Sequence, residues 1–209
     1  MVALHTLDYG ALGLGDYGKP GNYFARQIAR WSKQYRASET ERIEAMEKLF
    51  AWLPANIPPG DETTLVHGDY RIDNMIFAPD QPRMLAVVDW ELSTLGHPLA
   101  DFSYHVLIWR VGTGEIPGLG GVDLASLGIP TEAEYVAAYC ARTARAPIEP
   151  RVWEFCMAYN LFRIACIRQG IMKRVLAGTA ASRHAREAGE RARETAELAW
   201  RQVEEHLGG

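Results

Sequence analysis

The stretch from Leu65 to Asp101 constrains the fold of this chain most strongly, because it interrupts a pattern that is helical nearly everywhere else. Short runs of apolar and β-branched residues within and just before it are typical of strands. The three runs span about 63–66, 75–77 and 84–88. A turn sequence, Pro79–Pro82, separates the last two runs and indicates a hairpin. The stretch therefore predicts a small antiparallel β element near the middle of the chain.

Helical patterns fill most of the remaining sequence. In the first of them Phe24, Ile28, Trp31 and Tyr35 recur at spacings of four, three and four, which places them on one apolar face. The predicted helices span about 22–37, 39–53, 98–110, 131–145, 150–176 and 181–206. Two capping-box patterns, Ser38 with Glu41 and Thr131 with Glu134, predict where the second and fourth helices begin. We therefore expect an α+β fold that is mostly helical.

Composition narrows the class of partner and the cellular compartment. The net charge is −4, so no basic surface favours a nucleic acid or an anionic membrane as a partner. No apolar run approaches the roughly 20 residues of a membrane span, and the first residues lack the charged start of a signal peptide. The three cysteines, Cys140, Cys156 and Cys166, match no metal-binding spacing. We expect them to be reduced and buried, in a cytoplasmic protein.

The acidic residues of the β element predict a specific chemistry. Asp69 and Asn74 lie five residues apart in a loop between two strands, and Asp89 ends the strand that pairs with the one after Asn74. Hairpin pairing should bring Asn74 and Asp89 together, with Asp69 close by. Amide and carboxylate oxygens suit Mg²⁺, and a further carboxylate can accept a proton from an attacking hydroxyl. This combination is what phosphoryl transfer requires.

Other patterns point to different sites. Gly18-Lys19 is followed by Pro20, so the Gly-rich start lacks the hydroxyl and the N–H of a phosphate-binding loop. His97, Asp101 and His105 share a helix face at spacings of four and could bind zinc, but no fourth ligand is apparent. A hydrolase that holds two metal ions between Asp69, Asp73 and Asp89 remains an alternative.

The motif H-G-D-x-x-x-x-N, followed by a strand that ends in D-W-E, resembles the aminoglycoside phosphotransferase and choline kinase superfamily. The longer strings HGDYRIDNMIF, AVVDWELSTLGHPLADFSY and NYFARQIARWSKQY look like a narrower branch. That branch is related to the kinase-like domain fused to some acyl-CoA dehydrogenases. The resemblance implies a protein-kinase-like C-terminal lobe in which the β element carries the catalytic loop.

The resemblance also implies roles for individual residues. Asp69 would be the catalytic base that orients the substrate hydroxyl, while Asn74 and Asp89 would bind Mg²⁺ on the phosphates of ATP. Asp101 would brace the catalytic loop by hydrogen bonds, and His67 would pack against that loop as structural support. The expected activity is transfer of phosphate from ATP to the hydroxyl of a small molecule.

Arg71 is a further candidate catalytic residue, two positions after Asp69. A guanidinium group binds phosphate oxygens well. The alternative is a structural ion pair with Asp73 or another acid.

The resemblance covers only part of a two-lobed kinase. No Gly-rich hairpin and no strand with a phosphate-binding Lys precede Asn22. We expect residues 1–21 to be a connector after a missing N-terminal lobe, and 22–209 to be the C-terminal, catalytic and substrate-binding lobe. The chain alone should then be inactive or weakly active, and a homodimer could cover the exposed surface. A non-catalytic binding lobe is the alternative function.

Substrate specificity should depend on the residues after Glu91 and on the Gly-rich segment 111–130. Long loops of this kind either cover a substrate or simply connect elements at the surface, and the sequence leaves both readings open.

Overall fold

The computed structural model describes residues 1–112 and 118–208. The α-helices of the described residues are α1 (Val2–His5), α2 (Tyr23–Ser38), α3 (Glu44–Ala55), α4 (Pro98–Val106), α5 (Glu132–Arg142), α6 (Pro150–Leu176), α7 (Ala185–Glu190) and α8 (Ala192–Leu207). The strands are β1 (Thr64–Val66), β2 (Met75–Phe77), β3 (Met84–Val87) and β4 (Thr94–Gly96). The chain divides into two compact units, residues 1–21 with 60–148 and residues 22–59 with 149–209.

The first unit contains two antiparallel sheets of two strands each. The predicted hairpin is confirmed: β2 pairs with β3, with Met75 opposite Val87 and a bulge beyond Ile76. The other sheet pairs β1 with β4, with Leu65 opposite Leu95. The sequence analysis did not predict β4, which is three residues long with a single large apolar side chain.

The helices of the first unit begin at recognisable caps. At α4, the His97 ring accepts a hydrogen bond from the Leu99 amide (3.2 Å), and Pro98 occupies the first turn, where its missing N–H costs nothing. The helix ends at Val106 and continues only as a 3₁₀ turn, so the predicted span of 98–110 is too long. The capping box of Thr131 and Glu134 is confirmed at the start of α5.

The second unit consists of α2, α3, α6, α7 and α8. The predicted apolar face of α2 is buried, and Phe24 meets Phe155 and Tyr159 of α6 edge to face, each with 5.2 Å between ring centroids. The buried Gln169 of α6 donates hydrogen bonds to the Ser38 carbonyl (2.9 Å) and the Thr40 hydroxyl (2.7 Å). These polar contacts fix the segment between α2 and α3 on α6.

Two predicted helix boundaries in this unit are wrong. Ser38 does not cap α3; it ends α2, and its hydroxyl donates to the Gln34 carbonyl (2.9 Å). A serine hydroxyl can bond a carbonyl four residues back as readily as it caps a helix, and here it does the former. The last predicted helix is two helices, α7 and α8, separated at Arg191.

Residues 113–117, which belong to the predicted loop 111–130 and include Gly114, lie outside the described residues. Gly112 and Gly120, on either side of them, form an isolated parallel bridge. Cys140, Cys156 and Cys166 are buried and form no disulfide, as expected. Among the described helices, none has the length and apolar character to cross a membrane.

Candidate active site

The catalytic loop predicted from the sequence follows β1 directly. Gly68, at its second position, has a φ of 85°, and a Cβ there would lie 2.6 Å from the Leu92 carbonyl oxygen. A glycine is therefore required for both backbone conformation and space. This explains why the sequence has Gly where the protein-kinase motif has Arg.

Asp69 and Asn74 are in direct contact. A 3₁₀ turn, Ile72–Asn74, carries Asn74 back toward the start of the loop. The Asn74 side-chain amide donates hydrogen bonds to the Asp69 backbone carbonyl (2.9 Å) and to Asp69 Oδ2 (3.0 Å). Asn74 is buried and Asp69 is half-buried. The contact fixes one carboxylate oxygen of Asp69 and leaves the other for a substrate group.

Asp89 reaches the same site through the hairpin. The Val88 amide donates to the Asn74 carbonyl (2.9 Å), so Asp89 is one residue from a direct backbone contact with Asn74. The Asp89 backbone is left-handed (φ 66°, ψ 55°), a conformation that Asp tolerates better than most residues, and it turns the chain out of the strand. The side chain of Asp89 is exposed. The structure thus places the Asp89 backbone next to Asn74, whose side chain contacts Asp69; a shared site for the three side chains stays a prediction.

The donor atoms of this cluster fit a hard divalent cation. The Asn74 amide nitrogen faces Asp69, and its amide oxygen accepts no hydrogen bond from the described residues. This oxygen is therefore available to bind a metal ion. With the exposed Asp89 carboxylate it offers two oxygen donors. Two protein oxygens are a set typical of Mg²⁺, which keeps several waters and binds substrate phosphates.

Asp101 holds the backbone of the catalytic loop in place by hydrogen bonds. It lies in the first turn of α4, and its two carboxylate oxygens accept the backbone amides of His67 (2.9 Å) and Gly68 (2.8 Å). Asp101 is 4% exposed. Burial raises the pKa of its carboxyl group, but His5 and the two amides outweigh burial and hold the pKa below its ordinary value. An ionised Asp101 therefore holds the loop.

His67 joins the catalytic loop to Val88, the residue that follows strand β3. Its Nδ1 accepts the Asp69 amide (3.2 Å), and its Nε2 faces the Val88 carbonyl (3.0 Å). These partners require a proton on Nε2 and none on Nδ1. Because the backbone occupies both ring nitrogens, His67 is suited to structural support rather than to proton transfer.

Arg71 forms an ion pair with Asp73. The guanidinium donates from Nε (2.7 Å) and from Nη2 to one carboxylate oxygen, and about half of each side chain or more is exposed. Burial lowers the pKa of Arg71, but the Asp73 carboxylate outweighs it and raises the pKa above its ordinary value. The structural alternative for Arg71 is therefore present, while its role toward phosphate stays a prediction.

His5 has a role that its sequence context did not predict. This side chain is buried in the first unit, where its Nε2 lies 3.2 Å from Asp101 Oδ2 and its Nδ1 lies 2.8 Å from the Tyr139 hydroxyl. A single histidine in a Gly-rich segment gives no signal of such a contact. Residues 1–21 thus contribute a buried partner to the loop support, beyond the connector that was expected.

The alternative metal sites are not assembled. His97 caps α4, and burial lowers its pKa to about 4, while His105 lies 3.0 Å from the Tyr135 hydroxyl. Asp101 is bound to backbone amides. Within the described residues, no group of three or more His, Cys, Asp or Glu side chains is placed to hold a metal ion. The zinc triad and the three-aspartate hydrolase site therefore lack their geometry.

Comparison with known proteins identifies the family of the chain. Residues 1–151 match the family model described as APH, a phosphotransferase enzyme family. A crystal structure of a protein assigned as an aminoglycoside phosphotransferase, from Ralstonia eutropha JMP134, is 56% identical with a TM-score of 0.92, over 97% of this chain and 62% of that one.

Two mammalian relatives are much longer than this chain. It is 46% identical to mouse acyl-CoA dehydrogenase family member 10 over 96% of its own length and 19% of that protein. It is 42% identical to rat acyl-CoA dehydrogenase family member 11 over 86% of its own length and 23% of that protein. The kinase-like fold and the branch inferred from the motifs are confirmed. The chain belongs to the APH family of phosphotransferase enzymes.

Proposed function

We propose that this chain is the catalytic lobe of an ATP- and Mg²⁺-dependent phosphotransferase that acts on the hydroxyl group of a small molecule. The observation that carries the proposal is the contact between the side chains of Asp69 and Asn74. The Asn74 carbonyl also accepts a hydrogen bond from the amide of Val88, the residue before Asp89. The proposed base Asp69 and the Asn74 amide that orients it lie on one loop, and the proposed oxygen ligand Asp89 lies just after the end of one strand. This is the set of groups that phosphoryl transfer to a hydroxyl needs.

Asp69 acts as the base in this proposal. Its carboxylate accepts the proton of the substrate hydroxyl as the oxygen attacks phosphorus, while the Asn74 amide keeps the carboxylate in one orientation. Asp101 and His67 hold the backbone on either side of Asp69 in place. Positioning of this kind supplies much of the rate enhancement in phosphoryl transfer, since the protein forms no covalent intermediate there.

Asn74 and Asp89 are the proposed ligands of Mg²⁺. A divalent ion bound there would neutralise charge on the phosphates of ATP. Arg71 is proposed to turn from Asp73 to a phosphate oxygen when nucleotide is present, because its exposed side chain is held by that single carboxylate.

The hairpin beside this site has an apolar surface. Large apolar side chains that are 38–50% exposed cover it: Ile76, Phe77, Met84, Leu85 and Val88. Exposed apolar clusters of this kind mark interaction surfaces. Because neighbouring side chains on a strand point to opposite sides, these residues lie on both sides of the hairpin. We propose that residues 1–21 connect to a nucleotide-binding lobe that covers part of this apolar surface where it is present, and that a second copy of the 209-residue chain can cover it instead.

A non-catalytic binding lobe is the second candidate function. A cytoplasmic location remains part of the proposal, and three buried cysteines that form no disulfide support it.

Turnover distinguishes the two functions. The chain, with a nucleotide-binding lobe restored before its first residue, is incubated with ATP, Mg²⁺ and a panel of hydroxylated metabolites, and ³¹P spectra are searched for a new phosphate ester. The phosphotransferase proposal predicts an ester with at least one acceptor, and none when EDTA removes the metal. Calorimetric binding of Mg·ATP without any ester from the whole panel would instead support the binding lobe.

A further inference from the structure

Helix α5 reaches the catalytic loop through a chain of buried polar contacts. We propose that Tyr139 is a positioning residue, which orients the catalytic loop through His5 and Asp101. The catalytic meaning of this inference depends on the proposed function, but the contacts can be tested without any turnover.

The contacts form one continuous line. The Tyr139 hydroxyl lies 2.8 Å from His5 Nδ1, and His5 Nε2 lies 3.2 Å from Asp101 Oδ2. The same Asp101 oxygen accepts the His67 amide, and the other accepts the Gly68 amide. Tyr139, His5 and Asp101 are each at most 6% exposed. The segments that carry His5, Asp101 and Tyr139 therefore meet next to His67 and Gly68, the two residues that precede Asp69.

The charge of Asp101 determines where the protons lie along this line of hydrogen bonds. Asp101 is ionised, so His5 Nε2 must carry a proton to donate to it. A proton on Nε2 alone makes Nδ1 an acceptor, and among the described residues the Tyr139 hydroxyl lies against it. Burial raises the pKa of Tyr139 to about 12, so the phenol keeps the proton that it donates. Tyr139 thus favours the one tautomer of His5 that can bind Asp101.

The Tyr139 ring is held so that its hydroxyl cannot easily turn away. Phe102 stacks against it with ring centroids 3.7 Å apart and an angle of 14° between the planes. The Arg145 guanidinium lies 6.0 Å from the ring centroid, and Arg145 is in turn paired with Glu62. Packing therefore orients the phenol independently of its hydrogen bond to His5.

Tyr135 offers a matched control on the same helix. It lies one turn before Tyr139, its hydroxyl is 3.0 Å from His105 Nε2, and burial raises its pKa as well. Tyr135→Phe removes one phenol oxygen from α5 without touching His5. Any general loosening of α5 should appear in both variants, whereas loss of the line to Asp101 should appear only in Tyr139→Phe.

Amide hydrogen exchange measured by NMR tests the proposal on the full chain. Tyr139→Phe should accelerate exchange of the His67 and Gly68 amides by about tenfold, the factor that one lost hydrogen bond corresponds to. Amides in the middle of α6 should keep their wild-type rates, as should His67 and Gly68 in Tyr135→Phe. Unchanged His67 and Gly68 rates in Tyr139→Phe, or equal acceleration in both variants or throughout the chain, would overturn it.

A second measurement needs only the wild-type protein, in case Tyr139→Phe does not fold. The ¹⁵N shifts of the His5 ring identify which nitrogen carries the proton. The proposal predicts a proton on Nε2 and an acceptor at Nδ1. A proton on Nδ1 alone would contradict it, because Nε2 would then face the Asp101 carboxylate without a hydrogen.

Discussion

Asp101 shows how much of the loop depends on a single side chain. Its two oxygens accept the His67 and Gly68 amides, and one of them also faces His5. Groups this deeply buried lose their hydration, so each bond that is removed leaves an unsatisfied partner in the interior. The loop geometry and the stability of the first unit are therefore coupled at this residue.

The lowered pKa of Asp101 predicts a pH dependence. A carboxyl group whose folded-state pKa lies below its ordinary value of 3.8 stabilises the fold fully above that pH, and the stabilisation is lost as pH falls through the folded-state pKa. Asp101→Asn should therefore cost about 1–3 kcal/mol of unfolding free energy near neutral pH. Its deficit against wild type should shrink in acid. Urea unfolding across a pH series measures this, and a deficit that grows toward low pH would contradict it.

Arg71 separates a role in stability from a role in catalysis. Because its pair with Asp73 is exposed, Arg71→Ala should change the unfolding free energy by less than about 1 kcal/mol. If the guanidinium turns to phosphate, turnover should fall by about tenfold or more, the weight of one charge-assisted hydrogen bond. Arg83→Ala, at an exposed arginine after the hairpin turn, is the control for charge alone. Equal turnover losses in the two variants would exclude the phosphate role.

At the residue scale, the sequence predicted contacts that depend on short spacing. Asp69 and Asn74 are five positions apart, so one short turn is enough to bring their side chains into contact. His5 and Tyr139 are 134 positions apart, and neither the helical period nor any spacing relates them. Long-range partners of this kind emerge only from packing.

At the scale of elements, α6 and α7 pack closely enough to need a glycine. A Cβ on Gly189 would lie 2.9 Å from both Cα and Cβ of Met172, closer than packed carbon atoms approach. A Cβ on Gly170, inside α6, would meet nothing nearer than 3.7 Å. The two helical glycines therefore differ in their surroundings far more than in their backbone.

These surroundings predict opposite effects of the same substitution. Gly189→Ala should lower the unfolding free energy by about 1–3 kcal/mol, because α7 must move away from α6. Gly170→Ala should leave it unchanged or raise it by up to about 1 kcal/mol, since alanine favours the helix. Denaturant unfolding of both variants provides the measurement. A Gly189→Ala variant as stable as Gly170→Ala would contradict close packing of α7 against α6.

Element prediction succeeded where the pattern was long or capped and failed where it was short. The 27-residue helix α6 was predicted at both ends, and the capping box of Thr131 identified α5. Strand β4 was missed because three residues carry almost no periodic signal. It nevertheless matters for the site, since it pairs with β1 and directly precedes the helix that carries Asp101. Ser38 was misassigned because the same hydroxyl can cap one helix or bond within another.

At the scale of the whole molecule, the exposed apolar side chains of the hairpin predict self-association. We expect a dimer in sedimentation equilibrium at micromolar concentration, since contact of these side chains with water is unfavourable. Leu85→Glu places a charge on the hairpin at a side chain that is 50% exposed, and it should shift the protein to monomer without loss of fold. A wild-type protein that remains monomeric at high concentration would rule out the homodimer.

The family of the chain could be predicted from its sequence, because one motif joins a loop, a strand and a helix at fixed spacing. Its division into two compact units could not, because the second unit combines residues 22–59 with 149–209, and no local pattern relates the two segments. Nor does any residue pattern after Glu91 identify the acceptor. Substrate recognition is the property least constrained by the spacing of the catalytic groups.

The most direct test of the account is the phosphoryl transfer rate of Asp69→Asn, measured with the acceptor that the ³¹P panel identifies. The substitution keeps the shape of the side chain and removes the base, so the rate should fall by about 10²–10⁴-fold. Asp80→Asn, at an exposed aspartate in the hairpin turn, should keep the wild-type rate. A rate for Asp69→Asn equal to that of wild type would contradict the assignment of Asp69 as the base, and with it the proposed mechanism.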